Sequence, residues 1–253
     1  MLAVRFHKTM IETREIHAVR NCSKARKSWR FSSGKLGTVE EVAREYYLNE
    51  RGFMGCLIDS ACVYGALSWV IFHDILFHDN LNSRQPLCAL FFHTPQRFYE
   101  RHKDVVEQRL KEYQRSREDM FDRQMRQFHT HPFFCDSRSK IAKHSGAWLM
   151  RNESVLRDFA TMSAEHGQEA LIREIMVTSH KGRNAGWPDL VAWSGNSLVF
   201  AEVKSTDELS REQRRWIADH EEKYRIELLR VLDGKSNQAL HLTAIPLALH
   251  SLK

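Results

Sequence analysis

Apolar and polar residues repeat with a helical period over most of this chain, then switch to a shorter one near its end. Over 39–51, VEEVAREYYLNER, apolar side chains fall at Val39, Val42, Ala43, Tyr46 and Tyr47, the spacing of one helix face. Thr38 stands before them with Glu41 three residues on, the signature of a capping box. Residues 61–77, ACVYGALSWVIFHDILF, are apolar all round and predict a buried helix. Within 98–128, Tyr99, Val106, Tyr113 and Met120 recur every seven residues among eight basic and seven acidic ones. That stripe predicts one long amphipathic helix packed by its apolar edge. Helical spacing returns over 153–176. Then LVAW (190–193) and SLVFAEVKS (197–205) read as strands joined by the turn Ser194-Gly195-Asn196. A helix over 207–224 follows, with Leu209, Gln213, Trp216 and Ile217 on one side, and RIELLRVL (225–232) gives a last strand. Strand, strand, helix, strand predicts an α/β unit built on one sheet.

Composition adds limits. The 253 residues are 42% hydrophobic and 28% charged, as in globular proteins, which excludes disorder of the whole chain. The five cysteines, Cys22, Cys56, Cys62, Cys88 and Cys135, show no CxxC and no regular spacing, so they fit reduced core thiols in a cytoplasmic protein. No apolar run reaches about 18 residues, so no membrane partner is expected. If the source is bacterial, a nucleoid-associated place is expected. Charge is uneven: the net value is +6, while residues 1–37 hold nine Lys or Arg against two acids. A basic N-terminal arm, either solvated or touching phosphate, accounts for that excess. The loop 129–147, with HTHP at 129–132, reads as surface, and the apolar tail 240–252 carries Pro246 and suggests no function.

The chemistry concentrates in GWPDLVAWSGNSLVFAEVKSTDELSREQRRW, residues 186–216. Side chains alternate along a strand, so Glu202 and Lys204 share a face and Val203 takes the other. A tight hairpin brings Asp189 beside Glu202. Two carboxylates that close need a shared proton or a divalent cation. An oxygen-only pair suits Mg²⁺ or Mn²⁺, which would polarise a phosphodiester and activate water. A neighbouring lysine would steady the charge developing on phosphate. The competing reading of the same letters is a salt bridge on a solvated strand face. The basic glycine loop ahead (TSHKGRNAG) and the Arg-rich helix behind favour phosphate chemistry.

The stretch also resembles the virus-type replication–repair nuclease (VRR-NUC) family of the PD-(D/E)xK superfamily, through G-x-P-D-L, E-V-K, D-x-L-S and Q-x-x-W. Weaker similarity to the catalytic part of the Fanconi anaemia-associated nucleases runs from TVEEVAREYYLNERGF through YGALSWVIFHDILF, so the resemblance covers about 38–232. It implies an α/β, restriction-endonuclease-like core, a mixed sheet flanked by helices, with a helical N-terminal half and a helical insertion. The implied organisation is a basic arm at 1–37, a helical part of the nuclease module at 38–97, the insertion at 98–165, a catalytic core at 166–232 and a tail at 233–253.

The resemblance further implies metal ligation by Asp189, Glu202 and the Val203 carbonyl, Lys204 as the catalytic lysine, and Gln213 near the site. The family's upstream glutamate is replaced here by GCLIDSAC, where Asp59, or Ser60 in its stead, stands closest. Ser205-Thr206 replaces the family's frequent Gly-Pro. Lys181, Arg183, Arg211, Arg214 and Arg215 are candidate contacts to the DNA backbone. The implied activity is Mg²⁺- or Mn²⁺-dependent hydrolysis of flap, branched or duplex DNA. The helical insertion favours a monomer, with a Holliday-junction resolvase-like homodimer as the alternative. Because of the lost glutamate, a weakened or inactive DNA-binding protein is the rival reading. A purely structural role ranks last.

Overall fold

Among the described residues, seven strands lie in one mixed sheet: β1 (Glu12–Ser23), β2 (Arg26–Arg30), β3 (Leu36–Gly37), β4 (Gly55–Ile58), β5 (Leu190–Ser194), β6 (Ser197–Lys204) and β7 (Arg225–Asp233). Their order across the sheet is β3-β2-β1-β7-β6-β5-β4. The computed structural model describes residues 11–23, 26–30, 34–78, 95–130, 152–163, 168–178, 186–195 and 197–234. The chain divides into two compact units, Met1–Ser60 with Gly186–Lys253, and Ala61–Ala185. The first unit holds the whole sheet.

β5 and β6 form the expected antiparallel hairpin, Leu190 opposite Ala201. Gly195 turns it at φ +49°, a left-handed conformation that glycine adopts without strain. β6 then pairs parallel with β7, and a parallel neighbour requires a crossover. Helix α7 (Arg211–His220) is that crossover. The two faces of β6 are covered differently. Val199, Ala201 and Val203 face a core shared with Val42, Ala43 and Tyr47, supplied by α1 (Val39–Glu45) and the π-helical turn Tyr46–Glu50 behind it. Phe200 faces α7, its ring 5.3 Å from Trp216. A strand covered on both faces reads as a continuous apolar run, and a charged residue inside it needs a partner.

The N-terminal segment departs from the expected arm. Residues 12–23 form β1, which runs parallel to β7 with Glu12 opposite Glu227 and Ala18 opposite Asp233. Ile16, Ala18 and Trp29 sit in the core, so alternate residues anchor the segment, and Arg14 on the same face of β1 pairs with the buried Glu227. The expected capping box is present: Glu41 N–H donates to Thr38 Oγ1 at 3.3 Å and Thr38 N–H to Glu41 Oε2 at 2.7 Å.

The described residues of the second unit are helical: α2 (Ser60–His78), α3 (Pro95–Arg115), α4 (Arg117–Thr130), α5 (152–163) and α6 (Glu169–Thr178). The single helix expected over 98–128 is two, separated at Ser116, with His102 also non-helical at φ −119° and ψ 23°. Ser116 N–H still donates to Glu112 O and Ser116 O accepts from Met120 N–H, so the bend preserves the register of the buried Val106, Tyr113 and Met120. The expected helix over 153–176 is likewise divided into α5 and α6. Tyr113 Oη donates to Ala160 O at 2.6 Å, and Arg173 grips Glu107 with two bonds of 2.6 and 2.7 Å. Among the described residues no helix is long and apolar enough to cross a membrane. Most of the loop 129–147 and the tail 240–252 lie outside the described residues.

Candidate active site

Asp189 stands just before β5, in a loop held from three directions. Its Oδ2 accepts the Val203 N–H at 2.9 Å, extending the β5–β6 ladder with a side chain in place of a carbonyl. Its own carbonyl accepts the Asp59 N–H at 2.6 Å, where β4 ends beside β5. The preceding carbonyl, Pro188 O, accepts from Ser60 Oγ at 2.5 Å. Gly186 explains the first letter of G-W-P-D: its φ is +94°, and an added Cβ would stand 2.5 Å from the Glu212 carbonyl oxygen. Only glycine lets this loop approach the first turn of α7 so closely.

Glu202 and Lys204 occupy one face of β6, as alternation requires. Lys204 Nζ lies 2.8 Å from Glu202 Oε1, and the Glu202 side chain is 2% exposed. Gln213 Nε2 donates to the same oxygen. The reason Gln213 can do so is local. Ser210 caps α7, and Gln213 is the third helical residue: its N–H donates to Ser210 Oγ and its Oε1 accepts the Ser210 N–H at 2.8 Å. That capping box fixes the amide's oxygen and so aims its nitrogen at Glu202.

The electrostatics are those of two acids sharing too few counter-charges. Burial pushes Glu202 up to about 8, with the Asp189 charge adding to it and Lys204 opposing it. Burial also raises Asp189, against the Val203 amide, the Glu202 hydrogen bond and Lys204, and the charge of Glu40 pushes the same way as burial. At neutral pH the pair therefore shares a proton, one of the two ways such a cluster is neutralised. The other way is a hard divalent cation. The donor set fits one: two oxygen acids and a main-chain carbonyl, the set that a cation keeping several waters accepts. Among the described residues no group of three His, Cys, Asp or Glu side chains converges as a metal site.

A pH dependence follows. A carboxyl whose pKa is raised on folding stabilises the fold at low pH, and the benefit is lost as pH rises from the unfolded value of 4.5 through about 8. Glu202→Gln keeps the shape and removes the titration. In EDTA, the variant should gain about 2–3 kcal/mol over wild type between pH 6 and pH 9, given ~1.4 kcal/mol per pKa unit. Urea titrations at the two pH values check this, and parallel wild-type and variant curves would refute it.

The other expected residues are placed as follows. Asp59 is exposed, at φ +64°, with its backbone on Asp189. Ser60 is fully buried, and its Oγ donates to Pro188 O. Arg214 bonds Glu208 and the Leu209 carbonyl, both at 3.1 Å, Arg215 pairs with Asp219 at 3.7 Å, and Arg211 is exposed. Lys181 and Arg183 lie outside the described residues. Sequence reasoning missed Glu40, which sits in the first turn of α1 between the two members of a capping box and carries no motif of its own.

Residues 138–233 match the model of the VRR-NUC domain. That match covers less than half of the chain. Asp189, Glu202, Lys204 and Gln213 all fall inside it, whereas Asp59 and strands β1 to β4 lie outside the matched residues. The Fanconi-associated nuclease 1 homolog of Oryza sativa subsp. japonica is 26% identical over 203 residues, 73% of this chain and 19% of its own length. That of Dictyostelium discoideum is 27% identical over 203 residues, 72% and 18%. That of Caenorhabditis elegans is 22% identical over 191 residues, 72% and 21%. The chain thus spans about a fifth of the length of these curated relatives. Among solved structures, paFAN1 bound to 2-nucleotide 5′-flap DNA with a gap superposes with a TM-score of 0.53 at 16% identity, covering 87% of this chain and 37% of that one. Its complex with 1-nucleotide 5′-flap DNA gives 0.51 at 17%. This likeness shows the fold alone: a restriction-endonuclease-like core.

Proposed function

We propose that this protein is a divalent-cation-dependent, structure-selective DNA nuclease that hydrolyses phosphodiester bonds in flap or branched DNA. The observation that carries the reading is the group Asp189, Glu202, Lys204 and Gln213, gathered on β5, β6 and α7 of a nuclease fold. Asp189, Glu202 and the Val203 carbonyl would hold Mg²⁺ or Mn²⁺, and Asp59 is proposed as a further ligand. When bound, the cation supplies Lewis-acid polarisation of the phosphate and a water of lowered pKa.

The remaining work falls to the chain itself. Gln213 holds Glu202 in one rotamer, so the carboxylate keeps its direction when its proton is displaced. Lys204 presents its ammonium beside Glu202, where negative charge develops as water adds to phosphorus and the P–O bond to the leaving group breaks. Val203 N–H orients Asp189. The DNA preference is supported by the relatives' names and by the flap DNA in the paFAN1 complexes.

The test incubates labelled 5′-flap, four-way-junction and plain duplex DNA with purified protein in Mn²⁺ or in EDTA. Cleavage is expected only with the cation, strongest on the branched DNAs, and Asp189→Ala should lose at least about 100-fold. Asp59→Ala runs alongside: a loss of about tenfold or more makes Asp59 a ligand, and full activity leaves the cation to Asp189 and Glu202. Binding without cutting in Mn²⁺ overturns the nuclease and leaves a DNA-binding protein with a decayed site.

A further inference from the structure

The sheet face that carries Lys204 continues past the candidate active site. Across β6 and β7 the register sets Lys204 opposite Arg230, and across β7 and β1 it sets Arg230 opposite Glu15. Directly paired residues of neighbouring strands point to the same side, so Lys204, Arg230 and Glu15 form one row on that face. The next positions outward on it are His17 and Val19 on β1, and Arg30 on β2, opposite Val19.

Burial shows where the cover ends. Phe200 and Leu228, deeper on this face, are buried, and Phe200 lies under Trp216 of α7. Arg230 is half-buried, His17 and Arg30 are exposed, and Val19 is 44% exposed. On β1 the opposite face is closed, with Ile16 and Ala18 in the core. The shelf beside Lys204 is therefore open to solvent and runs directly from the candidate site. Among the described residues its charges are Arg230 and Arg30 against the acid Glu15. Among the described residues Arg230 has no hydrogen bond or ion pair, although Glu15 stands opposite it. Lys204, by contrast, is held by Glu202.

We propose that Arg230 is a phosphate-positioning residue: it binds the DNA backbone phosphate next to the one presented to Lys204, and the shelf of His17 and Arg30 beyond it carries the same backbone away from the site. The inference rests on the nuclease reading and names the surface on which that substrate lies. The occupant follows from continuity with the site and from charge. Adjacent strands are about 4.8 Å apart, and an arginine side chain is longer than that step. Phosphates along one DNA strand repeat with about 3.4 Å of axial rise, so a guanidinium one strand over from Lys204 reaches a neighbouring phosphate. A half-buried arginine with no partner is preorganised to grip it with two parallel bonds.

The role is one of binding and not of bond-breaking, and the test separates the two. Affinity for 5′-flap DNA is measured in EDTA across a salt series, and steady-state cleavage in Mn²⁺, for wild type, Arg230→Gln, Arg230→Ala and Arg230→Lys. Removing one phosphate contact should weaken binding roughly tenfold and lower the slope of log affinity against log salt by about 0.9. KM should rise by a similar factor while kcat stays within about twofold, and Arg230→Lys should recover most of the affinity and the salt slope. Melting temperatures of the variants are compared with wild type, and Arg230→Gln keeps most of the stem's packing if Arg230→Ala is unstable. Unchanged affinity and slope in Arg230→Gln, with wild type still binding and cutting, overturn the role of Arg230 and leave the nuclease standing. A loss of kcat at constant KM also overturns it. Wild type that neither binds nor cuts flap DNA overturns both readings.

Discussion

Lys204→Ala is expected to lower single-turnover cleavage of flap DNA by about 10²–10³-fold, the range for losing one preorganised charged donor at a developing oxyanion, while leaving DNA affinity within about threefold. Two effects act in the same direction. The ammonium 2.8 Å from Glu202 Oε1 disappears from the place where transition-state charge develops. Lys204 also holds down the pKa values of both Asp189 and Glu202. Without it the acids keep their shared proton to higher pH and compete less well for a cation. The residual activity of the variant should therefore rise more steeply with Mn²⁺ concentration and with pH than that of wild type. Lys204→Arg should not restore the rate, because a planar, longer guanidinium cannot occupy the ammonium's position beside Glu202. Rates within threefold of wild type would show that Lys204 is only a strand-face salt bridge.

Much of this site is legible because its geometry is local. Asp189, Glu202 and Lys204 lie on one hairpin whose turn is short, and period-two alternation alone sets Glu202 and Lys204 on one face. The capping pair Ser210 and Gln213 is equally local, although its consequence, the amide on Glu202, appears only once β6 and α7 are packed. What was not legible depends on distant pairing. β1 reads as a basic arm because its charge masks a short apolar alternation, and its partner β7 lies about 200 residues away in sequence. β4 offers only Gly55-Cys56-Leu57-Ile58 between two helices, too few residues for a period to show, yet it completes the sheet beside β5 and delivers Asp59 to Asp189. The 98–128 stripe is continuous in sequence and so predicts a continuous helix. The bend at Ser116 keeps the stripe's register, and an apolar repeat carries no signal for a break of that kind.

Glu227 is the clearest case of a residue whose importance the sequence hides, and Glu227→Ala is expected to destabilise the fold by about 3–5 kcal/mol, as breaking a buried charge cluster does. RIELLRVL predicts a strand, and nothing in those letters marks Glu227 as buried. In the structure it is fully buried on the α1 face of β7, opposite Ala201, the neighbour of Glu202. Tyr47 Oη donates to its Oε2 at 2.6 Å and Arg51 Nη1 at 2.5 Å. Arg14 Nε stands 3.5 Å from the same oxygen, and Arg225 Nη2 lies 2.9 Å from Oε1, both as ion pairs out of line for hydrogen bonds. Burial raises the Tyr47 pKa, and the Glu227 charge raises it further, so the phenol remains a donor. The guanidinium of Arg51 also stacks 5.1 Å from the Tyr47 ring and 5.0 Å from Phe53. Removing Glu227 leaves the Arg51 guanidinium and the Tyr47 hydroxyl without the acid they bond, while Arg14 and Arg225 keep only Glu12. The presence of such a cluster is not itself evidence of net stability, since charges cost desolvation before they attract; the large effect comes from stranding one side of it. Glu227→Gln should cost less, because an amide oxygen still accepts from Tyr47 and Arg51. Both variants are to be compared by urea unfolding at pH 7 with the slope checked for constancy. Because Glu227 ties the π-helical turn to the strand beside Glu202, a folded Glu227→Gln protein should also cleave more slowly. A Glu227→Ala protein as stable as wild type would mean that water replaces the carboxylate at no cost, and that the cluster does not hold β7 against the π-helical turn.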